Sequence, residues 1–235
     1  MTAKALLKTL DYAILKPEAS MLAIHHAADL CRTLGVGCLC VKSCDVKFTA
    51  ESLADCDTIV AAVVGFPHGN TLPALKAIEA QMAVAHGAEE IDMVINISAL
   101  KDGDTEGITD EIHAVVTAVW PHPVKVILET ALLTPAEIKQ GVACAIKAGA
   151  AFVKTSTGFA TQGATPEAVQ TMLTAAKGKI KVKASGGIRT RADAEAYLKM
   201  GCERLGVGNV ECLLTPAERK RLLPETDATP SDSAY

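Results

Sequence analysis

Residues 150–158 read Ala-Ala-Phe-Val-Lys-Thr-Ser-Thr-Gly, and residues 180–187 read Ile-Lys-Val-Lys-Ala-Ser-Gly-Gly. In each stretch a lysine, Lys154 or Lys183, lies inside an apolar, β-prone run that ends at hydroxyl and glycine residues. An amine in a buried strand is costly unless a neighbouring group uses it. Two such amines on adjacent strands repel each other's charge, which lowers the pKa of one or both. An amine of lowered pKa is a nucleophile that can form Schiff bases.

A short strand followed by a helix recurs along the chain. Lys125, Lys154 and Lys183 follow one another at intervals of 29 residues, which fits units of equal size. Hydrophobic runs and periodicity predict strands at 9–14, 37–42, 58–64, 89–96, 124–129, 150–155, 180–185 and 203–207. Helices are predicted at 18–34, 46–55, 72–86, 106–119, 135–148, 166–177, 190–200 and 209–222.

Eight such units indicate a parallel sheet covered by helices. A doubly wound open sheet uses the same units, but it would gather its polar groups at one switch point. We favour a (β/α)₈ barrel, because candidate polar groups follow many different strands. The length of 235 residues suits one barrel domain, predicted at 1–223. The polar segment 224–235 predicts a flexible C-terminal tail that ends in Tyr235.

Composition and charge argue against several functions. A net charge of −4 gives no basic surface for nucleic acid. No run of 18 apolar residues occurs, and charged residues interrupt the first 20, so we expect no membrane span, no signal peptide and a cytoplasmic location. The eight cysteines form no C-x-x-C pair, which favours reduced thiols over a metal site or disulfides.

Other chemistry-bearing residues follow the predicted strands. Asp92, and with weaker context Asp11, lie in strands whose other inner residues are apolar, and a lysine partner would suit either a structural or a catalytic role. Gly186 and Gly187 follow a strand and open a helix, which is the arrangement of a phosphate-binding nest. The segment 205–209 follows the last strand and could form the neighbouring wall.

Four segments, at residues 65–69, 90–96, 153–159 and 183–190, together resemble the deoxyribose-phosphate aldolase family, and the similarity runs in order from about residue 8 to 209. The resemblance implies a class I aldolase on a (β/α)₈ barrel. Such an enzyme cleaves 2-deoxy-D-ribose 5-phosphate to acetaldehyde and glyceraldehyde 3-phosphate without metal or cofactor. Its expected partners are small sugar phosphates and aldehydes, with a homodimer as one possible assembly.

The resemblance also implies a role for each matching residue. Lys154 is the expected Schiff-base lysine, Lys183 the neighbour that lowers its pKa, and Asp92 the aspartate that relays protons with a water. Tyr235 matches a C-terminal tyrosine that closes over the site and assists proton transfer. The expected substrate-binding and pocket residues are Asp11, Cys40, Lys125, Thr157, Gly186, Gly187, Gly208 and Asn209.

The chain departs from the family at three places. Gly208 and Asn209 stand where paired serines hold phosphate, Tyr12-Ala13 replaces His-Thr, and Lys42-Ser43 replaces Asn-Pro. The first two departures remove hydroxyl groups. Two alternatives therefore stay open: a related Schiff-base aldolase for a different or unphosphorylated acceptor, and a non-catalytic barrel that binds sugar phosphates.

Overall fold

The structure, a computed structural model, describes residues 1–223, so Tyr235 and the predicted tail 224–235 lie outside the described residues. Eight parallel strands form a closed barrel in chain order, with the last strand paired to the first. The predicted (β/α)₈ barrel is confirmed, and the open-sheet alternative is wrong, since an open sheet leaves two edges unpaired. The strands are β1 Leu10–Ile14, β2 Cys38–Val41, β3 Ile59–Val64, β4 Glu90–Val94, β5 Val124–Ile127, β6 Phe152–Lys154, β7 Lys181–Ser185 and β8 Arg204–Val207.

Helices cover the outside of the barrel. None of the helices within residues 1–223 combines the length and the apolar character that crossing a membrane requires. The α-helices are α1 Ala3–Leu7, α2 Met21–Leu34, α3 Val46–Leu53, α4 Pro73–Ala85, α5 Ile97–Lys101, α6 Thr105–Val119, α7 Pro135–Lys147, α8 Pro166–Ala176, α9 Arg191–Met200 and α10 Pro216–Leu222. Single 3₁₀ turns span Ser43–Asp45, Thr130–Leu132 and Glu211–Leu213.

Capping residues explain where several helices begin. The hydroxyls of Thr134, Thr165 and Thr215 each accept a hydrogen bond from a first-turn amide, at 3.1–3.3 Å, and a proline follows each of them. A threonine cap and a proline in the first turn both favour a helix start. At the other end, Gly35 and Gly201 cap α2 and α9 with positive φ angles of 67° and 115°.

The predicted helix at 209–222 is wrong as a single element. The side-chain oxygen of Asn209 accepts hydrogen bonds from the amides of Glu211 at 2.9 Å and Cys212 at 3.2 Å, which forms a separate 3₁₀ turn. Helix α10 then begins anew at Pro216. The sequence also does not predict α1 and α5, because five residues are too few to show a helical period.

Side chains on the two faces of the sheet belong to two separate apolar clusters. On β2, Leu39 and Val41 pack in the large core between sheet and helices, whereas Cys38 and Cys40 point into the barrel. The inward-facing cluster consists of Ala13, Leu15, Cys38, Cys40, Ala61 and Val63. Because these side chains from β1, β2 and β3 are mostly small, the barrel interior has room for long side chains from the opposite strands.

A substitution in the short helix α1 tests whether this helix belongs to the hydrophobic core. Leu6 of α1 is fully buried, so Leu6→Ala should lower the free energy of unfolding by about 2–5 kcal/mol, measured by urea denaturation. The control is Leu22→Ala in α2, where Leu22 is 62% exposed, and it should change that free energy by less than about 0.5 kcal/mol. Equal losses in the two variants would contradict a core role for α1.

Candidate active site

Three lysines from consecutive strands project into the barrel. Lys125, Lys154 and Lys183 belong to β5, β6 and β7, and each is at most 2% exposed. Lys154 and Lys183 are direct partners in the register of β6 and β7. The equal spacing seen in the sequence therefore brings all three amines to one place.

The carboxylate of Asp92 on β4 joins these amines. Its Oδ2 atom lies 2.8 Å from Nζ of Lys154 and 2.8 Å from Nζ of Lys183. Its Oδ1 atom lies 2.7 Å from Nζ of Lys125. Asp92 is fully buried, so these contacts are the compensation that a buried charge requires. The predicted neighbourhood of Lys154, Lys183 and Asp92 is present.

The network continues below Asp92. Asp11 on β1 contacts Lys183 and accepts a 2.7 Å hydrogen bond from Nε of Arg204 on β8. Glu90, two residues before Asp92, lies 2.5 Å from Lys125 and 3.2 Å from Arg204. Sequence reasoning missed Glu90 and Arg204, although each is a charged residue inside a predicted strand.

These contacts shift the acidities of the buried groups. Burial alone would raise the pKa of Asp92, but the three surrounding lysines lower it well below its usual range. Burial also acts against the charge of Asp11, yet Lys183, Lys125 and Arg204 lower its pKa to about 2. Both carboxylates therefore stay ionised near neutral pH.

The carboxylates dominate the electrostatics of Lys183. Two adjacent amines predict a lowered pKa for one or both, and the raised pKa of Lys183 excludes only the lowering of both. Burial lowers it, and the carboxylates of Asp11 and Asp92 outweigh that effect. The same balance of burial against carboxylates raises the pKa of Lys125 well above its ordinary value. Both side chains are thus permanent ammonium groups.

A cavity of about 550 Å³ opens above this network at the carboxyl ends of the strands. Lys154 and Lys183 line it, whereas Asp92, Asp11 and Lys125 are buried beneath. Its walls include the predicted binding residues Thr157, Gly186, Gly187, Gly208 and Asn209. Arg189, which sequence reasoning did not single out, adds a guanidinium group to the lining.

Glycines bring two wall segments into backbone contact. A Cβ on Gly163 would lie 2.3 Å from the carbonyl carbon of Gly186, so no side chain fits there. The amide of Ala164 donates to the carbonyl oxygens of Ser185 at 3.0 Å and Gly186 at 3.1 Å. Gly186 and Gly187 have φ angles of 82° and 77°, a conformation that glycine adopts without strain. This wall is consequently narrow and lined by main chain.

Two predicted binding residues have other surroundings than expected. Cys40 does not line the cavity; it is buried in the barrel, and that burial together with Asp92 raises the pKa of its thiol to about 11. The side-chain oxygen of Asn209 is engaged in the 3₁₀ turn that follows it. Neither side chain replaces the hydroxyl groups that the family carries.

One candidate metal site consists of the carboxylates of Asp11 and Glu90 and the thiol of Cys38, which lie close together. These groups do not suit a metal, because Lys125 and Arg204 already contact the two carboxylates. Burial and the nearby charge of Asp11 also raise the pKa of Cys38 well above its ordinary value, which keeps the thiol protonated. The donor set is therefore an ion-pair network of protein groups.

Comparison with known proteins gives this geometry a family. A model described as DeoC/LacD family aldolase matches residues 7–208. The chain belongs to that family. This aldolase is 44% identical over 199 residues to deoxyribose-phosphate aldolase 1 of Staphylococcus aureus strain Mu50, covering 85% of this chain and 90% of that relative. It is 45% identical over the same length to deoxyribose-phosphate aldolase 2 of strain COL, with the same coverage.

Solved structures agree with this family assignment. "QR15, an Aldolase" superposes with a TM-score of 0.87 at 36% identity, covering 94% of this chain and 99% of that one. A deoxyribose-phosphate aldolase from Aeropyrum pernix, described as tetrameric, superposes with a TM-score of 0.82 at 29% identity, covering 90% of each chain. The resemblance drawn from four sequence segments is confirmed at the level of the family.

The acid stability of this aldolase should report on Asp11. The folded-state pKa of Asp11, about 2, lies below its ordinary value of 3.8, so its contribution to stability is present above about pH 4 and is lost as the pH falls towards 2. The free energy of unfolding, measured from pH 7 to pH 3, should carry a loss on the order of 1 kcal/mol from this group, since Asp11 is only partly protonated at pH 3.

Asp11→Asn should be less stable at pH 7 and should show a shallower fall below pH 4. The control is Asp57→Asn, since the side chain of Asp57 is 96% exposed. That variant should keep the wild-type dependence on pH. An unchanged acid slope in Asp11→Asn would contradict the lowered pKa.

Proposed function

We propose that this chain is a class I aldolase that reversibly cleaves 2-deoxy-D-ribose 5-phosphate to acetaldehyde and D-glyceraldehyde 3-phosphate. The observation that carries the proposal is Lys154, a buried amine at a cavity that shares one carboxylate oxygen with a permanent ammonium group, Lys183. The names of the relatives from Staphylococcus aureus support the choice of substrate.

The charge balance of the network singles out Lys154 as the nucleophile. Among the described residues, the connected network holds three acids and four bases: Asp11, Glu90, Asp92, Lys125, Lys154, Lys183 and Arg204. One positive charge is in excess, and a buried excess charge is costly. Lys154 contacts a single carboxylate and Lys183 contacts two, so Lys154 is the lysine with the fewest counter-ions in the network.

The reaction then follows from the chemistry of an imine. The nitrogen of Lys154 adds to the C1 aldehyde carbon, and loss of water gives an iminium ion. The C2–C3 bond breaks, its electron pair forms an enamine, and the proton of the C3 hydroxyl passes to a base as glyceraldehyde 3-phosphate leaves. The enamine takes a proton at C2, and water hydrolyses the resulting imine to release acetaldehyde and restore the amine.

We assign electrostatic and proton-transfer roles to the neighbours of Lys154. Asp92 remains ionised and lies 2.8 Å from the reacting nitrogen, so it stabilises the iminium charge and exchanges protons through water. Lys183 keeps a positive charge and contacts the same carboxylate oxygen as Lys154, so it is the electrostatic neighbour of the nucleophile. Tyr235 remains a predicted proton donor, but it lies outside the described residues.

The wall at the start of α9 is the proposed phosphate site. Gly186 and Gly187 precede the amino terminus of this ten-residue helix, whose dipole attracts an anion; the amides of Thr190 and Asp193 are used in a capping box, so the glycine segment before it supplies the remaining amides. Arg189, which lines the same cavity, adds a full positive charge. Main chain and one guanidinium thus take over from the hydroxyl groups that are missing at 208 and 209.

Borohydride trapping tests the role of Lys154. Wild-type protein treated with acetaldehyde and borohydride should carry a reduced adduct on Lys154, located by peptide mass spectrometry. Lys154→Leu should lose the adduct and at least about a thousandfold in turnover, measured as acetaldehyde release. The control is Lys181→Leu in β7, whose side chain is 55% exposed and pairs with Glu203, and it should keep both.

An adduct on Lys183 would overturn the assignment of the nucleophile. Wild-type protein that binds deoxyribose 5-phosphate without trapping or turnover would instead favour a non-catalytic sugar-phosphate-binding barrel.

A second candidate is a related aldolase for an unphosphorylated acceptor. The observation in its favour is the engagement of Asn209 in its own 3₁₀ turn, beside a glycine at 208. The ratio of kcat/KM for deoxyribose 5-phosphate to that for deoxyribose separates the two candidates. We expect a ratio of at least about 100, because a paired charged group contributes roughly 3 kcal/mol. A ratio near 1 would favour the unphosphorylated acceptor.

The homodimer and the cytoplasmic location stay predictions. Support for self-association comes from α4 and its N-cap residue Leu72. Leu72, Leu75, Ile78 and Met82 are each at least 50% exposed and recur at helical spacing. A relative from Aeropyrum pernix is described as tetrameric.

A further inference from the structure

Glu129 is a buried carboxylate that the proposed chemistry does not use. It follows β5 at the cavity end of the barrel and is only 3% exposed. Its φ and ψ angles are 57° and 63°, in the left-handed region that non-glycine residues avoid. Such a conformation costs on the order of 1 kcal/mol and persists where the surroundings impose it.

The carboxylate of Glu129 contacts one residue, Thr157. It accepts a hydrogen bond from the hydroxyl of Thr157, and the backbone amide of Thr157 lies 3.3 Å and 3.4 Å from its two oxygens. Within residues 1–223 no lysine or arginine forms an ion pair with it. Burial raises the pKa of Glu129, and the hydrogen bonds from Thr157, together with the nearby Lys154, only partly oppose that rise. A buried carboxylate whose hydrogen bonds all come from one wall residue indicates a specific positional task.

Thr157 begins the longest wall of the cavity. Gly158 and residues 160–165 follow it along the lining. The far end of this segment is held independently, since Ala164 bonds to the main chain of β7 and accepts a 2.9 Å hydrogen bond from the hydroxyl of Tyr197. The near end has Glu129 as its anchor, and the hydroxyl of Thr157 in turn accepts from the amide of Phe159 at 3.0 Å.

Lys154 does not depend on this anchor. The amides of Leu128 and Thr130, on either side of Glu129, donate to the carbonyl oxygens of Lys154 at 3.0 Å and Thr155 at 2.9 Å. These main-chain bonds extend the pairing of β5 with β6 whatever side chain stands at position 129. The backbone position of Lys154 is therefore held by main-chain bonds, and the hydrogen bonds of the carboxylate go to Thr157 at the wall.

We propose that Glu129 is a positioning residue for substrate binding: through Thr157 it holds the near end of the wall formed by residues 157–165 against the sugar phosphate. The inference rests on the proposed function, because it assumes that a sugar phosphate occupies this cavity. It assigns Glu129 to affinity for the sugar and not to the chemistry of the imine.

The test measures trapping on Lys154 as a function of sugar concentration. Glu129→Ala should raise the half-saturating concentration of deoxyribose 5-phosphate, and KM, at least about tenfold. The rate of trapping with acetaldehyde, which is too small to need the wall, should stay within about threefold of wild type. Glu129→Gln keeps one acceptor oxygen for Thr157 and should recover the wild-type concentration to within about threefold.

The matched control is Lys177→Ala. Lys177 is the other non-glycine residue with positive φ in the described part of the chain, at 47°, and it lies at the end of α8. The same substitution there should leave both trapping curves unchanged. Thr157→Val removes the hydroxyl group that donates to Glu129 and should reproduce the weaker sugar binding. This variant replaces Glu129→Ala as the test if Glu129→Ala does not fold.

Unchanged sugar affinity in folded Glu129→Ala or in Thr157→Val would overturn the proposal. So would an equal loss of acetaldehyde and sugar trapping, since Glu129 would then act on Lys154 itself. Trapping requires an imine but no cleavage. Wild-type protein that is trapped by the sugar phosphate and releases no acetaldehyde would contradict the proposed function, and the same curves would still decide the role of Glu129.

Discussion

The shared carboxylate of Asp92 is the interaction on which the rest of the site depends. Without it, three buried lysines would repel one another more strongly, and Lys154 would lose its carboxylate partner, whereas Asp11 and Glu90 would still pair with Lys183 and Lys125. With it, the amines of Lys154 and Lys183 contact the same oxygen atom at 2.8 Å. The carboxylate thus places the nucleophile Lys154 beside the cation of Lys183. The same ion pairs set the catalytic geometry and stabilise the barrel interior.

The barrel accommodates this network because its interior is divided by side-chain size. Small residues on β1, β2 and β3 face the long lysines of β5, β6 and β7, so extended side chains meet near the axis without overfilling it. Above them the wall is built from main chain, where Gly163 and Gly186 touch. An anion there meets backbone amides whose positions do not depend on rotamers. The charged side chains therefore lie at the floor of the cavity, and main-chain segments define the shape of its wall.

Sequence reasoning predicted the strands and the barrel, because strand periodicity and regular spacing are local signals, and the resemblance to the aldolase family implied that Asp92 joins Lys154 and Lys183. It failed where contacts between residues distant in the sequence determine the local structure. Glu90 and Arg204 contact each other although they are 114 residues apart in the sequence, and no local pattern shows such a pairing. The left-handed conformation of Glu129 is imposed by contacts with the next strand. The break in the predicted helix 209–222 arises because the Asn209 side chain competes for backbone amides.

The ion-pair network has a consequence for how the chain assembles. All three of its carboxylates, on Asp11, Glu90 and Asp92, come from β1 to β4, and all four of its bases come from β5 to β8. Either half alone would enclose like charges without counter-ions. A chain divided between β4 and β5 would therefore yield an acidic and a basic half-barrel, each lacking a neutral interior until it meets the other. The catalytic centre therefore forms only when the two halves close into one barrel.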